Sequence, residues 1–207
     1  MISNITVTVD NRPYLKDRVY FETAKTISKL SRDERNKVGA VIVDSKGKVV
    51  STGYNGPPSS FDDDIIKFNG EEFEITFDVL SMCGYTNLVK LLGESEVNDL
   101  LDFSGVEPVI RKQFTKGPFM LHAEMNAILT TDDRKRLQGA TIYVTHVPCD
   151  VCAKLIAQTG ITTVKTLNNK ARSFRDFIFK TLATFQEGNI NFEVFTEEEL
   201  DLEDKTQ

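Results

Sequence analysis

Cysteine is scarce. Cys83, Cys149 and Cys152 are the only three in 207 residues, and an odd number does not suggest a disulfide framework. No apolar run approaches the roughly 18–20 residues of a membrane span, so no membrane association is expected. The first residues, Met1 to Val7, offer no basic stretch ahead of an apolar core, so no secretory signal is expected. A reducing, cytoplasmic location is the expectation, and there Cys-x-x-Cys reads first as a metal or redox site. A basic surplus is also missing: 25 Lys and Arg face 31 Asp and Glu, for a net charge of -6. Residues 197–207 hold six acids against one lysine, and without them the charge is about -1. A nearly neutral body has little with which to track a phosphate backbone, so no stable nucleic-acid binding is expected. The acidic end is expected to be a solvated, mobile tail.

What is present is ordinary globular material, with 40% apolar and 27% charged residues. The length suits one domain over 1–207. Helical spacing from Tyr14 to Leu30 is carried by Leu15, Val19, Tyr20, Ala24, Ile27 and Leu30. A hairpin follows, Val38 to Val43 and Lys48 to Thr52 around the turn Asp44-Ser45-Lys46-Gly47, and regular structure is expected to end at Gly53. Asn69-Gly70 between apolar runs predicts a second hairpin over 65–77, and helical pieces are expected from Asp78 to Phe114. Residues 59–119 read as an insertion between core elements, since about 60 residues fold alone only marginally.

The second half alternates. Helices are expected at His122–Leu129, Cys149–Gln158 and Phe174–Phe185, with strands at Ala140–Thr145, Ile161–Val164 and Ile190–Phe195. The helix from Cys149 is expected to bury Val151, Leu155 and Ile156. This alternation implies an α/β layer architecture with a largely covered sheet.

The chemistry-bearing pattern is His122-Ala123-Glu124 followed by Pro148-Cys149-Asp150-Val151-Cys152. Zinc accepts imidazole nitrogen and thiolate sulfur, and a catalytic site keeps three protein ligands and an open fourth position. A helix starting after Pro148 would point its positive end at the thiolates and favour their ionised form. His122 and Glu124 converge only if His122 sits at a helix start and the glutamate folds back. Taken singly, a Cys-x-x-Cys or a His is often structural. Together in this order they match the signature of zinc nucleobase deaminases. A structural zinc would need a fourth ligand, for which Cys83 or His146 is available.

The chain resembles the deoxycytidylate (dCMP) deaminases of the cytidine and deoxycytidylate deaminase superfamily. The similarity runs over Tyr20 to Gly56 and Pro118 to Val164. It is carried by Val38-Gly39-Ala40-Val41-Ile42-Val43, Thr52-Gly53-Tyr54-Asn55-Gly56-Pro57, the His-Ala-Glu segment and Pro-Cys-x-x-Cys. It implies a three-layer α/β/α fold with a mixed sheet of about five strands and helices on both faces. The implied reaction is hydrolytic deamination of dCMP to dUMP and ammonia, supplying dUMP for thymidylate synthesis. Zn2+ would be held by His122, Cys149 and Cys152, and Glu124 would carry protons. Asn55, Ala123 and Asn126 are implied substrate contacts, although an Asn between Tyr and Gly also suits a left-handed turn. Gly53, Tyr54 and Gly56 belong to a loop that joins allosteric nucleotide control in parts of the family, where Mg2+ would accompany the nucleotide. Leu167 to Ala171 lacks the tyrosine that relatives often carry there, a departure that weakens that implication. Arg134, Arg35 and Lys37 are candidates for the 5′-phosphate. Family members form homo-oligomers, often hexamers. A 5-substituted dCMP, dCTP, a nucleoside or RNA adenosine is the alternative substrate, and a non-catalytic interaction protein stapled by zinc is the alternative class.

Overall fold

The computed structural model describes residues 12–33, 36–60, 72–77, 85–100, 110–115, 119–168 and 175–201. Their contacts divide the chain into two compact units, residues 1–56 with 121–207, and residues 57–120. The first holds a five-stranded mixed sheet in the order β2-β1-β5-β6-β7. Its strands are β1 (Gly39–Val43), β2 (Val49–Tyr54), β5 (Thr141–Val144), β6 (Thr163–Leu167) and β7 (Asn191–Phe195). β1 runs antiparallel to both β2 and β5, whereas β5, β6 and β7 are parallel.

Alternation in the strands builds two cores, one on each face. Ala40, Ile42, Ile142, Val144 and Val164 face the helices later in the chain, with Ala127, Ile156 and Phe185 packed among them. Val41, Val43, Tyr143 and Leu167 face the other way, toward Phe21 and Ala24 of the first helix. The expected three-layer α/β/α arrangement is therefore the one observed.

Helix α1 spans Arg12–Ser28, two residues earlier at each end than the spacing predicts. Its buried face is Asp17, Phe21, Ala24 and Ser28, while Leu15, Val19 and Leu30 are exposed. Of the apolar spacing, Ala24 is buried and Tyr20 packs against the core, whereas a buried carboxylate and hydroxyl take positions on the inward face that the spacing does not mark. Tyr143 Oη donates to Asp17 Oδ1 at 2.6 Å, and Lys165 Nζ reaches Asp17 Oδ2 at 2.9 Å and Glu193 Oε2 at 3.2 Å.

In the unit 57–120, helices α2 (Tyr85–Leu92) and α3 (Glu94–Leu100) bury Leu88 and Val97. β3 (Glu72–Phe77) pairs antiparallel with β4 (Ile110–Thr115). Residues 110–114 are therefore strand rather than helix. The turn expected at Asn69-Gly70 lies outside the described residues.

The remaining helices are α4 (Ala123–Leu129), α5 (Asp150–Thr159), α6 (Arg175–Glu187) and α7 (Glu197–Asp201). Gly160 ends α5 with φ 85°, a left-handed position that glycine adopts without strain. α5 buries Cys152, Ala153 and Ile156, and Val151 is exposed, which corrects the expected stripe by one position.

α7 is a second correction, because it opens the stretch expected to be a mobile tail. Thr196 and Glu199 cap it reciprocally: the Thr196 N–H donates to Glu199 Oε2 at 2.7 Å and the Glu199 N–H to Thr196 Oγ1 at 3.1 Å. Leu200 is buried with Phe21, Leu167 and Phe195, and Glu197 pairs with Lys25. Among the described residues no helix is long and apolar enough to cross a membrane.

Candidate active site

Two helix starts converge on one point. His122 is the residue before α4 and is extended, with φ -75° and ψ 156°. Cys149 holds the same place before α5, with φ -75° and ψ 170°. Cys152 lies one turn into α5 and is fully buried. The His122 Nδ1 atom is 3.4 Å from each of the two sulfurs. Two ligands at ordinary zinc–sulfur and zinc–nitrogen lengths, set at the tetrahedral angle, stand about 3.5 Å apart. One imidazole hydrogen cannot serve two sulfurs at once, whereas one cation can. These three side chains form the one metal-competent group among the described residues. The donor set therefore fits zinc.

The sulfur electrostatics agree. Cys149 is pushed down to about 4, chiefly by its hydrogen bond from the Cys152 thiol, against the cost of burial and with help from His122. Cys152 is pushed far up by that same hydrogen bond and by its burial. Without a cation, two adjacent thiols carry one negative charge between them. A divalent ion removes the conflict and ionises both.

Glu124 is in the first turn of α4, 4% exposed and outside the ligand group. His122 is at the helix start, and Glu124 lies near enough to His122, Cys149 and Cys152 for each to influence its carboxyl. Burial raises its pKa, against the lowering influence of hydrogen bonds and of His122.

Residues 15–168 match the family model described as the cytidine and deoxycytidylate deaminase zinc-binding region. The chain belongs to this family. A probable deoxycytidylate deaminase of Drosophila melanogaster is 32% identical over 154 residues, 74% of this chain and 60% of that protein. The deoxycytidylate deaminase of Homo sapiens is 30% identical over 158 residues, 76% of this chain and 67% of that protein. The chain thus spans about three-fifths to two-thirds of the length of these relatives. The dCMP deaminase of cyanophage S-TIM5, solved in complex with dCMP and dUMP, superposes with a TM-score of 0.53 at 22% identity. The match covers 91% of this chain and all of that one, a likeness of fold.

Asn55 is buried but not left-handed, since among the described residues Asn189 is the one other than glycine with positive φ. Its Oδ1 accepts from the Val38 N–H at 2.8 Å, and its Nδ2 donates to the Asn36 carbonyl at 2.8 Å. Asn126 donates to the Tyr54 carbonyl at 2.7 Å, tying α4 to the end of β2. Of the loop residues, Tyr54 is exposed, while Gly53 and Gly56 are buried. The strand does not end at Gly53 as expected but continues to Tyr54. Arg134 is exposed beyond the end of α4 opposite His122, and Lys37 is exposed. Arg35 and Cys83 lie outside the described residues. His146 does not join the ligand group; its Nδ1 is 3.2 Å from Thr145 Oγ1.

Sequence reasoning missed what fixes α4. Ser51 Oγ donates to the Ala127 carbonyl at 2.6 Å. Gly53 presses against the same helix so closely that a Cβ there would stand 2.2 Å from the Ala123 carbonyl oxygen. A glycine interrupting a strand pattern is a signal of close backbone approach, and it could have marked this contact.

Proposed function

We propose that the protein is a zinc-dependent hydrolase that converts dCMP and water to dUMP and ammonia. One observation carries the reading: a buried Glu124, its pKa raised by that burial, stands beside a His-Cys-Cys group in a chain of the deaminase family. Its relatives named deoxycytidylate deaminase supply the substrate. Zinc held by His122, Cys149 and Cys152 supplies a Lewis acid that makes water a competent nucleophile near neutral pH. Glu124 takes a proton from the attacking water and delivers it to ring N3, then takes the second proton from the new C4 hydroxyl and gives it to the amine as the C4–N bond breaks. The peptide N–H groups of Ala123 and Cys149 orient the pyrimidine. Asn126 holds the Tyr54 end of β2 against α4. Asn55 keeps one Nδ2 hydrogen for the nucleotide while the other goes to Asn36. The working form is a homo-oligomer, with a hexamer expected from light scattering.

Ammonia release from dCMP, dCTP, deoxycytidine, cytidylate and 5-substituted dCMP tests the proposal. Turnover confined to monophosphates is expected. Glu124→Gln should retain zinc and lose about 10²- to 10⁴-fold in rate. Zinc-loaded, folded protein that turns over no cytosine compound would falsify it.

A further inference from the structure

The segment from Thr145 to Cys149 delivers the first sulfur, and its two ends are pinned differently. At its start the Thr145 N–H donates to the Gly39 carbonyl at 3.0 Å, and the Gly39 N–H donates to Thr145 Oγ1 at 3.1 Å. At its end the hold comes from a helix later in the chain. Thr181 of α6 is 1% exposed, and its Oγ1 donates to the Pro148 carbonyl at 3.1 Å.

Pro148 is itself buried, and its carbonyl lies one residue outside the hydrogen-bond ladder of α5, which begins with the Ala153 N–H donating to the Cys149 carbonyl. A buried carbonyl without a donor is costly, so the Thr181 hydroxyl fixes the rotation of this peptide. The bond from Pro148 to Cys149 is trans and planar. Its carbonyl and the Cys149 N–H therefore point in opposite directions. Drawing the carbonyl toward α6 turns the N–H away from it. Among the described residues that N–H has no hydrogen-bond partner. The same plane sets where the Cys149 Cα begins and hence where its sulfur stands relative to His122.

We propose that Thr181 is a positioning residue of the metal centre: by holding the Pro148 carbonyl it sets both the Cys149 sulfur and the direction of the Cys149 N–H. The role of that N–H in turnover rests on the function proposed above, whereas the metal readout does not. Its hydroxyl acts on a ligand-bearing peptide in the way outer hydrogen bonds orient metal ligands elsewhere.

The test compares Thr181→Val, which keeps shape and loses the donor, with Thr181→Ser, which keeps the donor. Zinc affinity is read by chelator competition on the full chain, beside kcat and KM for dCMP and the melting temperature. Thr181→Val is expected to bind zinc about 10- to 100-fold more weakly and to lower kcat with little change in KM, while Thr181→Ser recovers both. Thr181→Ala gives the same comparison should the valine variant not fold. Variants lacking the hydroxyl that melt earlier but match the parent in zinc affinity and kcat would overturn the proposal. So would a serine variant as impaired as the valine one. A parent that binds zinc but leaves dCMP untouched removes the proposed substrate and leaves the affinity comparison standing.

Discussion

Gly53→Ala is the most informative single change, because it introduces one methyl group at a place where nothing can rotate away. The added Cβ would stand 2.2 Å from the Ala123 carbonyl oxygen, 2.4 Å from the Ala127 nitrogen and 3.0 Å from the Ala127 Cα. All three are backbone atoms. The first two are the acceptor and donor of the i to i+4 hydrogen bond around the turn that carries Glu124. Relief to an ordinary contact distance requires β2 and α4 to separate by about 1 Å. Overpacking of this kind costs about 1–3 kcal/mol, or roughly 3–9 °C in melting temperature for a chain of this size. The functional loss should be larger in proportion. His122 and Glu124 move with α4 while Cys149 and Cys152 stay with α5, and a misplacement of about 1 Å costs on the order of 10²-fold in rate. Gly56→Ala is the control, since its Cβ would meet the Tyr54 ring at 3.7 and 3.9 Å, ordinary contacts. The assay is kcat/KM for dCMP with zinc affinity by chelator competition, after thermal melts have set a temperature at which each variant is folded. A Gly53→Ala protein indistinguishable from Gly56→Ala in melting, zinc binding and turnover would refute the packing argument.

Other outcomes follow from the opposite face of the sheet. Asp17→Asn removes the carboxylate that Lys165 and Tyr143 share, and stability is expected to fall by about 1–3 kcal/mol, because the buried Tyr143 hydroxyl loses its charged acceptor and the partly buried Lys165 keeps only Glu193. Burial lowers the Lys165 pKa, but Asp17 and Glu193 outweigh it and leave it raised; burial and then the Asp17 bond raise Tyr143. Both folded values lie above the unfolded ones, so this stability is whole below about pH 10 and is lost as pH rises through them. Melting temperature should hold to about pH 10 and, above it, drop more steeply in the parent than in Asp17→Asn; parallel curves would contradict the coupling. Leu200→Ala should cost about 2 kcal/mol by emptying the pocket formed with Phe21 and Phe195. A solvated tail predicts no change in the same denaturation experiment.

The ligand set was legible in the sequence because donor chemistry belongs to residue identity: imidazole, two thiols and a carboxyl in this order admit few other readings. The layered α/β plan was also legible, since runs of period two and near four record which faces must be covered. Reading went astray where one side of an element had to be chosen. α1 turns Asp17 and Ser28 inward and leaves Leu15 and Val19 outside, and α5 exposes Val151 while burying Cys152. Polar groups that find partners can replace apolar ones on a buried face: Ser28 bonds the Lys25 carbonyl of its own helix, whereas Asp17 bonds Tyr143 and Lys165 across the fold, partners that no local period announces. The acidic end misled for a related reason, since one buried leucine and a reciprocal cap outweigh the charge around them.

Composition and order alone thus picked out the side chains that form a metal-competent group and the carboxyl proposed to carry protons beside it. Only the tertiary structure decided how they are held. Gly53 beneath α4 and the Thr181 hydroxyl on Pro148 join residues 70 and 33 positions apart in the chain, taking Ala123 and Pro148 as the partners, and burial raises Glu124. Such contacts depend on backbone approach and exclusion of water, quantities that exist only once the layers have packed.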